Sequence, residues 1–296
     1  MEKEQFRKWW EENGKRGISF CECNYTKAPL KKVRAWVQEF KGVTPVIKQD
    51  HKVTIMQAGC LHFPQHDRQF IECFLKVAKH IKPDYIVLTG DIVDCSRYSN
   101  HNTELGVLMV EARKAKETSL NFLKEVCKLA KNVVYICGNH ERWIEDKKAL
   151  DISLLYDDDF TVPKVLGFEN MPIHYEPHLW EFRNFVFKHG ESIASGDNAP
   201  KAEFMGELKN GASSHTHRSG RYRHTTRTKQ YVWYTTGCGC KLDMWYKLKG
   251  KSRVNSGWNH SFNVFKFVGE QFQCTQIEVI KGQCIYDSVL FKASIE

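Results

Sequence analysis

Five short stretches of the chain concentrate side chains that bind metals or move protons. They read Gly59-Cys60-Leu61-His62, Gly90-Asp91-Ile92-Val93-Asp94, Gly138-Asn139-His140-Glu141, His189-Gly190 and Ser214-His215-Thr216-His217. Imidazole nitrogens, carboxylates, an amide oxygen and a thiolate all donate to first-row divalent cations, and together they outnumber the four positions around one tetrahedral ion. Two ions are therefore expected, with Asp91 placed to bridge them through its two oxygens. Cys60 and His62, like His215 and His217, stand two residues apart, a spacing that sends both side chains to one side of an extended segment. The glycines beside them permit sharp turns and leave room for a substrate. Any one of these residues alone reads as an ordinary packed or turn residue; their recurrence over five segments points to a site. The histidines at 51, 66, 80, 101, 174, 178, 224 and 260 follow no such pattern.

The elements that must position these side chains are also visible. Four of the five stretches follow apolar, mostly β-branched or aromatic runs at 53–56, 85–88, 133–136 and 185–187. Helical patterns near 68–81 and 104–130 lie between them, which predicts an α/β layered fold. In such sheets ligands bind at the carboxyl ends of strands. From Tyr231 onward the chain is aromatic and β-branched with partial alternation, and antiparallel strands are expected there. Residues 1–47 read as a helical extension: Phe6, Trp9 and Trp10 mark an apolar face that stops at Asn13-Gly14. A second helix from Pro29 carries Leu30, Val33, Val37 and Phe40. This segment fits a small helix-turn-helix-like module or a plain packing arm, and the expected division is 1–47 and 48–296.

Composition narrows the classes. The 296 residues include 44 Lys+Arg against 35 Asp+Glu, a formal charge of +9, with 42% hydrophobic and 27% charged residues. These proportions exclude disordered, collagen-like and coiled-coil classes. No apolar run approaches the roughly 20 residues of a membrane span, and the charged start lacks a signal-peptide core; a soluble, cytoplasmic protein without a membrane partner is expected. Arg218, Arg221, Arg223, Arg227 and Lys229 form a basic run without an acidic residue, interleaved with Tyr222 and His224. Such a surface suits nucleic acid, a solvated basic loop being the alternative. The eleven cysteines are odd in number and several sit in apolar runs (Cys73, Cys127, Cys137), so most read as reduced core residues. Cys21-x-Cys23 and Cys238-x-Cys240 miss the usual zinc-site gap and have no second ligand pair nearby in sequence. The serine-hydrolase elbow, the phosphate-cradling lysine loop and the dinucleotide-binding glycine turn are all missing from the sequence.

The order of the five stretches resembles that of the calcineurin-like metallophosphoesterases: Asp-x-His, Gly-Asp-x-x-Asp, Gly-Asn-His-Asp/Glu, His, then Gly-His-x-His. The likeness runs from about residue 52 to 219. The long helix between the second and third stretches, Gly-Asn-His-Glu-Arg and the front segment are most similar to phage-encoded members, phosphatases or DNA repair nucleases; a phage-encoded chain would act in the host cytoplasm. The resemblance implies a layered αββα sandwich with two divalent ions, of manganese, zinc or iron. One ion would be held by Cys60, His62, Asp91 and His217, the other by Asp91, Asn139, His189 and His215. His140 would serve as acid toward the leaving oxygen, and Asp94 would orient a neighbour rather than ligate. The implied reaction is attack of a hydroxide shared by the ions on a phosphoester. With the basic run, DNA is the first expected substrate. A small-molecule or phosphoprotein phosphatase is second, and an inert nucleic-acid-binding protein on the same scaffold third. Two departures stand out: Cys60 replaces the family's first aspartate and Ser214 its glycine. A thiolate moves metal preference toward zinc or iron and away from magnesium or calcium, and adds oxidation sensitivity.

Overall fold

The computed structural model describes residues 2–12, 33, 36–37, 52–99, 105–150, 160–192, 198–244 and 257–294. Contacts divide the chain into two compact units, Met1–His51 and Lys52–Glu296. In the first, helix α1 (Glu2–Glu12) buries Phe6 and Trp10, one turn apart, against Val33 and Val37, and the Trp36 ring lies 5.5 Å from Phe6. The Asn13-Gly14 stop and most of the second expected helix fall outside the described residues, and with them the helix-turn-helix-like reading.

The second unit is built on strands β1 (Lys52–Ala58), β2 (Tyr85–Thr89), β3 (Asn132–Ile136), β4 (Ile173–Glu176), β5 (Leu179–Phe182), β6 (Phe185–Lys188), β7 (Asn210–Ser213), β8 (Gly220–Thr225), β9 (Gln230–Thr235), β10 (Ser261–Val268), β11 (Gln271–Glu278), β12 (Gln283–Tyr286) and β13 (Val289–Lys292). Its helices are α2 (Arg68–Ile81), α3 (Leu105–Leu129), α4 (Asn139–Leu150), α5 (Val162–Leu166) and α6 (Asn198–Glu207). A six-stranded sheet runs β11-β10-β1-β2-β3-β4, a five-stranded sheet runs β5-β6-β7-β9-β8, and β12 pairs with β13 as a hairpin. Strands β1 to β4 are mutually parallel, while β10 closes the β1 edge antiparallel.

Alternation along the strands explains the layers. Met56, Ala58, Ile86, Leu88, Val133 and Tyr135 face one side of the larger sheet, where α2 and α3 cover them with Phe70, Phe74, Val77, Phe122, Leu123 and Val126. The intervening Ile55, Val87, Val134 and Ile136 face the other side, against Phe185, Phe187, Ala212 and Tyr234 of the smaller sheet. Fully burying a phenylalanine such as Phe185 contributes about 1.5–3 kcal/mol. On the outer face of the smaller sheet, Phe204 of α6 packs on Val186 and Trp233. The order helix, sheet, sheet, helix is the αββα sandwich that the resemblance implied. The antiparallel strands expected after Tyr231 are there, β10 with β1 and β11 and β12 with β13, but β9, antiparallel to β8, is also parallel to β7, because β8 lies between β7 and β9 along the chain and carries it back. No described helix is long and apolar enough to cross a membrane.

Candidate metal centre

Strands β1, β2, β3, β6 and β7 all end at one place, where their outgoing loops cross-link. Cys60 N–H donates to Gly90 O, His62 N–H to Asp91 O and Phe63 N–H to Ile92 O, each at 2.9 Å. The Thr89 carbonyl accepts from Ser214 Oγ and lies 2.8 Å from His189 Nδ1, tying the smaller sheet to the end of β2. The two-residue spacing of the paired ligands does not reflect an extended chain. Cys60, His62, Asp91, His215 and His217 all have left-handed backbones, with φ between 49° and 66°. Left-handed residues other than glycine are uncommon and gather where structure over-determines them. Here the crossed loop hydrogen bonds do so, and the side chains converge because the backbone coils rather than because it is straight.

Seven donors meet in this space. On one flank His62 Nε2 lies 3.2 Å from His217 Nε2, and Cys60 Sγ is within 4.8 Å of both rings' donors. On the other flank His189 Nε2 lies 3.1 Å from His215 Nδ1, and Asn139 Oδ1 lies 3.0 Å from each. Between the flanks stands Asp91, whose Oδ2 is 3.3 Å from His189 Nε2 and 3.7 Å from His62 Nε2. Its other oxygen, Oδ1, accepts the His140 backbone N–H at 2.9 Å. Asp91 thus stands between the two flanks, where a carboxylate could serve a cation on either side. Donors around a cation with bonds of about 2.1 Å stand about 3.0 Å apart in octahedral and about 3.4 Å apart in tetrahedral geometry, a range close to these separations. Facing imidazole nitrogens at 3.1–3.2 Å cannot both carry protons, so at least one of each pair presents a lone pair that a cation can take.

His140 sits beside this cluster. Its Nδ1 is 3.0 Å from Asp94 Oδ1, its ring lies 4.3 Å from the Trp143 ring and 4.5 Å from that of His62. Asp94 Oδ1 also accepts from Ser96 Oγ, which fixes the carboxylate. Burial works against the imidazolium, but the Asp91 charge and the Asp94 hydrogen bond outweigh it and hold the His140 pKa above its ordinary value. His62 goes the other way: burial and the neighbouring His140 charge push it down to about 3, leaving a neutral ring of the form that ligates. Burial raises Asp91, yet the charges of His189 and His140 outweigh that and hold it well below the carboxylate range. Burial and the Asp91 charge push the Cys60 thiol well up, so a thiolate there requires a compensating cation.

Glu141 is the residue whose role sequence reasoning missed. Fully buried, it accepts from the backbone N–H groups of Asp91, Ile92, Val93 and Gly138 and from Tyr135 Oη. It therefore clamps the loop that carries Asp91 to the one that carries Asn139. Gly138 makes that clamp possible, because a Cβ there would stand 2.2 Å from Asp91 N. Its place beside Asn139 and His140 was the available signal. Cys238 and Cys240, which come close to a zinc motif in the sequence, lie buried beside Cys60, and Cys240 Sγ is 3.7 Å from His217 Nδ1.

The basic run is not one surface at the centre. Strand β8 leaves the site end, where Gly220 pairs with Thr235, and runs away from it as an edge strand. The exposed Arg227 and Lys229 occupy the turn at its far end, roughly 20 Å away over six residues. Arg221 and Arg223 are exposed, whereas Tyr222 and His224 turn inward onto Phe204. Arg218 stays near the site, half-buried, and its Nη1 donates to Thr216 O at 3.3 Å. Asp67, which stands near the centre in sequence, accepts the Phe70 N–H and caps α2.

The chain belongs to the calcineurin-like phosphoesterase family, whose profile matches residues 53–234. Members of this family typically bind divalent metals. Similar solved structures include a single mutant of Vps29 from Entamoeba histolytica, with 15% identity and a TM-score of 0.42, covering 81% of this chain and 99% of that one. Vacuolar protein sorting 29 from Cryptosporidium parvum gives 13% identity and a TM-score of 0.45, over 82% of this chain and 99% of that one. The phosphoesterase YfcE from E. coli gives 13% identity and a TM-score of 0.36, over 77% of this chain and 100% of that one. No curated protein matches the sequence significantly.

Proposed function

We propose that the chain is a dinuclear metal-dependent phosphoesterase acting on the phosphodiesters of nucleic acid, DNA first. The observation that carries this reading is the convergence of Cys60, His62, Asp91, Asn139, His189, His215 and His217 on one space with the His140–Asp94 pair at its side. Two divalent cations held there, of manganese, zinc or iron, would supply Lewis-acid charge and bring the pKa of water from about 15.7 toward 7. Cys60, His62 and His217 would hold one and Asn139, His189 and His215 the other, with Asp91 serving both. The Cys60 sulfur favours zinc or iron. His140, whose protonated form Asp94 favours and aims, would donate its proton to the departing oxygen.

A second feature supports a phosphate-rich substrate. Beyond Asp94 opens a cavity of about 300 Å³ whose lining includes Arg97, Arg113 and Lys116. Cations at that position can hold phosphates flanking the one under attack. The dispersed residues Arg221, Arg223, Arg227 and Lys229 would add long-range attraction and no positioning. A cytoplasmic setting suits the nine described cysteines, all free thiols.

The test compares a bis-nitrophenyl diester, a nitrophenyl monoester and plasmid DNA with the protein loaded in turn with manganese, zinc and ferrous iron. Cleavage of the diester and of DNA is expected, with DNA binding that weakens steeply as salt rises. Monoester hydrolysis without DNA cleavage would replace the nuclease by a phosphatase. DNA binding without turnover under any metal would leave an inert binding protein.

A further inference from the structure

Cys238 and Cys240 lie outside the residues the family profile matches, yet they end beside its metal centre. Together with Cys60 they are fully buried, in a cluster closed by Met244 and flanked by Leu242 and Trp258. Gly239 brings them there. Its N–H donates to the Cys60 carbonyl at 3.1 Å, and a Cβ at this position would fall 2.4 Å from Leu61 Cδ2. The neighbouring N–H of Cys238 donates to Asn259 O, and Lys241 N–H donates to Gln65 O, so the Cys-Gly-Cys turn is held on both sides.

The donor atoms of His217, Cys238 and Cys240 all lie within 4.8 Å of one another, and Cys240 Sγ is 3.7 Å from His217 Nδ1. A tetrahedral zinc, with bonds of about 2.3 Å to sulfur and about 2.0–2.1 Å to nitrogen, sets its sulfurs about 3.8 Å apart and sulfur from nitrogen about 3.5 Å. Shifts of about an ångström or less would bring all three donors onto such an ion. Two thiols and one imidazole nitrogen in a dry, apolar surround are a soft donor set that selects zinc over magnesium or calcium.

We propose that Cys238, Cys240 and His217 Nδ1 form a further site, for a thiophilic divalent cation of the zinc type, packed beside Cys60 of the neighbouring centre. Binding releases the thiol protons of Cys238 and Cys240, and any proton on His217 Nδ1, to solvent. Since His217 Nε2 faces His62, an ion on Nδ1 also fixes the ring that serves the neighbouring centre. The site stands independently of the phosphoesterase reading, because sulfur ligation and turnover are measured separately.

X-ray absorption at the zinc edge, on wild-type protein carrying one zinc per chain, should show at least two sulfur neighbours at about 2.3 Å. One sulfur or none would overturn the site. Cys60→Asp should retain a two-sulfur shell, whereas the Cys238→Ala, Cys240→Ala double variant should lose it and bind one zinc fewer per chain by elemental analysis. A sulfur shell lost in Cys60→Asp and kept in the double variant overturns the proposal. Circular dichroism establishes that the double variant is folded, and the wild-type measurement decides the question without any substitution.

Discussion

At the His140–Asp94 pair, one hydrogen bond sets both the direction of the ring and its charge. With Nδ1 held by Asp94, Nε2 is the nitrogen left for a substrate oxygen. His140→Ala should lower turnover by about 10²–10⁴-fold with metal content unchanged by elemental analysis; unaltered turnover would remove His140 from the mechanism. Asp94→Asn tests the charge. The Asp91 and Asp94 charges raise the His140 pKa against burial, so removing the second lets the ring lose its proton at lower pH. The alkaline limb of kcat/KM should therefore move to lower pH, and an upward shift or none would contradict the assignment. Of the residues here, Asn139, His140 and Asp94 were legible because a motif keeps them in order. Glu141 was legible as a letter and not as a clamp, since its partners become visible only when the loops cross. Cys238 and Cys240 look like core residues in the sequence because their spatial neighbours are distant along it.

Among the elements, α6 and β6 show how a helix outside the centre holds a ligand-bearing loop. Lys188, at the end of β6, lies 2.8 Å from Glu203 Oε2 of α6, while Glu203 Oε1 accepts from the N–H groups of Glu191 and Ser192, just past His189. Burial raises Glu203, but the Lys188 hydrogen bond outweighs it and its pKa is lowered. A carboxylate with a depressed folded pKa contributes stability that is present above its unfolded pKa of about 4.3 and lost as pH falls through the folded value. Glu203→Gln should therefore cost about 2–3 kcal/mol near pH 7, with the gap from wild type closing below about pH 4 in denaturant melts. A gap that stays constant with pH would show that the charge is not what matters. Strands β1, β2, β3 and β6 were readable from their short apolar runs. The parallel pairing of β7 with β9 was not, because register across a crossover depends on the intervening edge strand. The coiled ligand loops look extended in the sequence, because residues two apart read alike in both conformations until φ is known.

At the scale of the whole molecule, the centre joins the two sheets. Cys60, His62 and Asp91 come from loops of the larger sheet and Asn139 from the start of α4 beyond β3, while His189, His215 and His217 come from loops of the smaller. Behind them Gln57 bridges the same gap, donating to Thr89 Oγ1 and Ser213 O and accepting from Asn263 Nδ2. Cations held as proposed between the sheets would bind the folded chain and not the unfolded one, so removing them with a chelator should lower Tm by about 5–10 °C. That follows from a linkage of about 2.7 kcal/mol at a hundredfold excess over Kd, and about 2–4 °C per kcal/mol for a domain of this size. Calorimetry with and without chelator checks it; an unchanged Tm would mean that the sheets need no ionic link. From the runs and helices themselves only an α/β layered fold was legible at this scale; the αββα order came from the resemblance, and the two-sided burial of the larger sheet accounts for it. The basic run was legible as charge and not as location, since only the direction of β8 shows that it leads away from the centre.

The left-handed backbone at Cys60, His62, Asp91, His215 and His217 also limits the alphabet open to drift and to directed evolution. Asparagine, aspartate and histidine tolerate that conformation, whereas valine, isoleucine and threonine do not. Exchanging sulfur for carboxylate at Cys60 leaves the scaffold intact, while a branched substitute unfolds the loop before any chemistry is tried. Affinity and metal choice can thus be retuned by swapping single atoms, with the architecture acting as the censor.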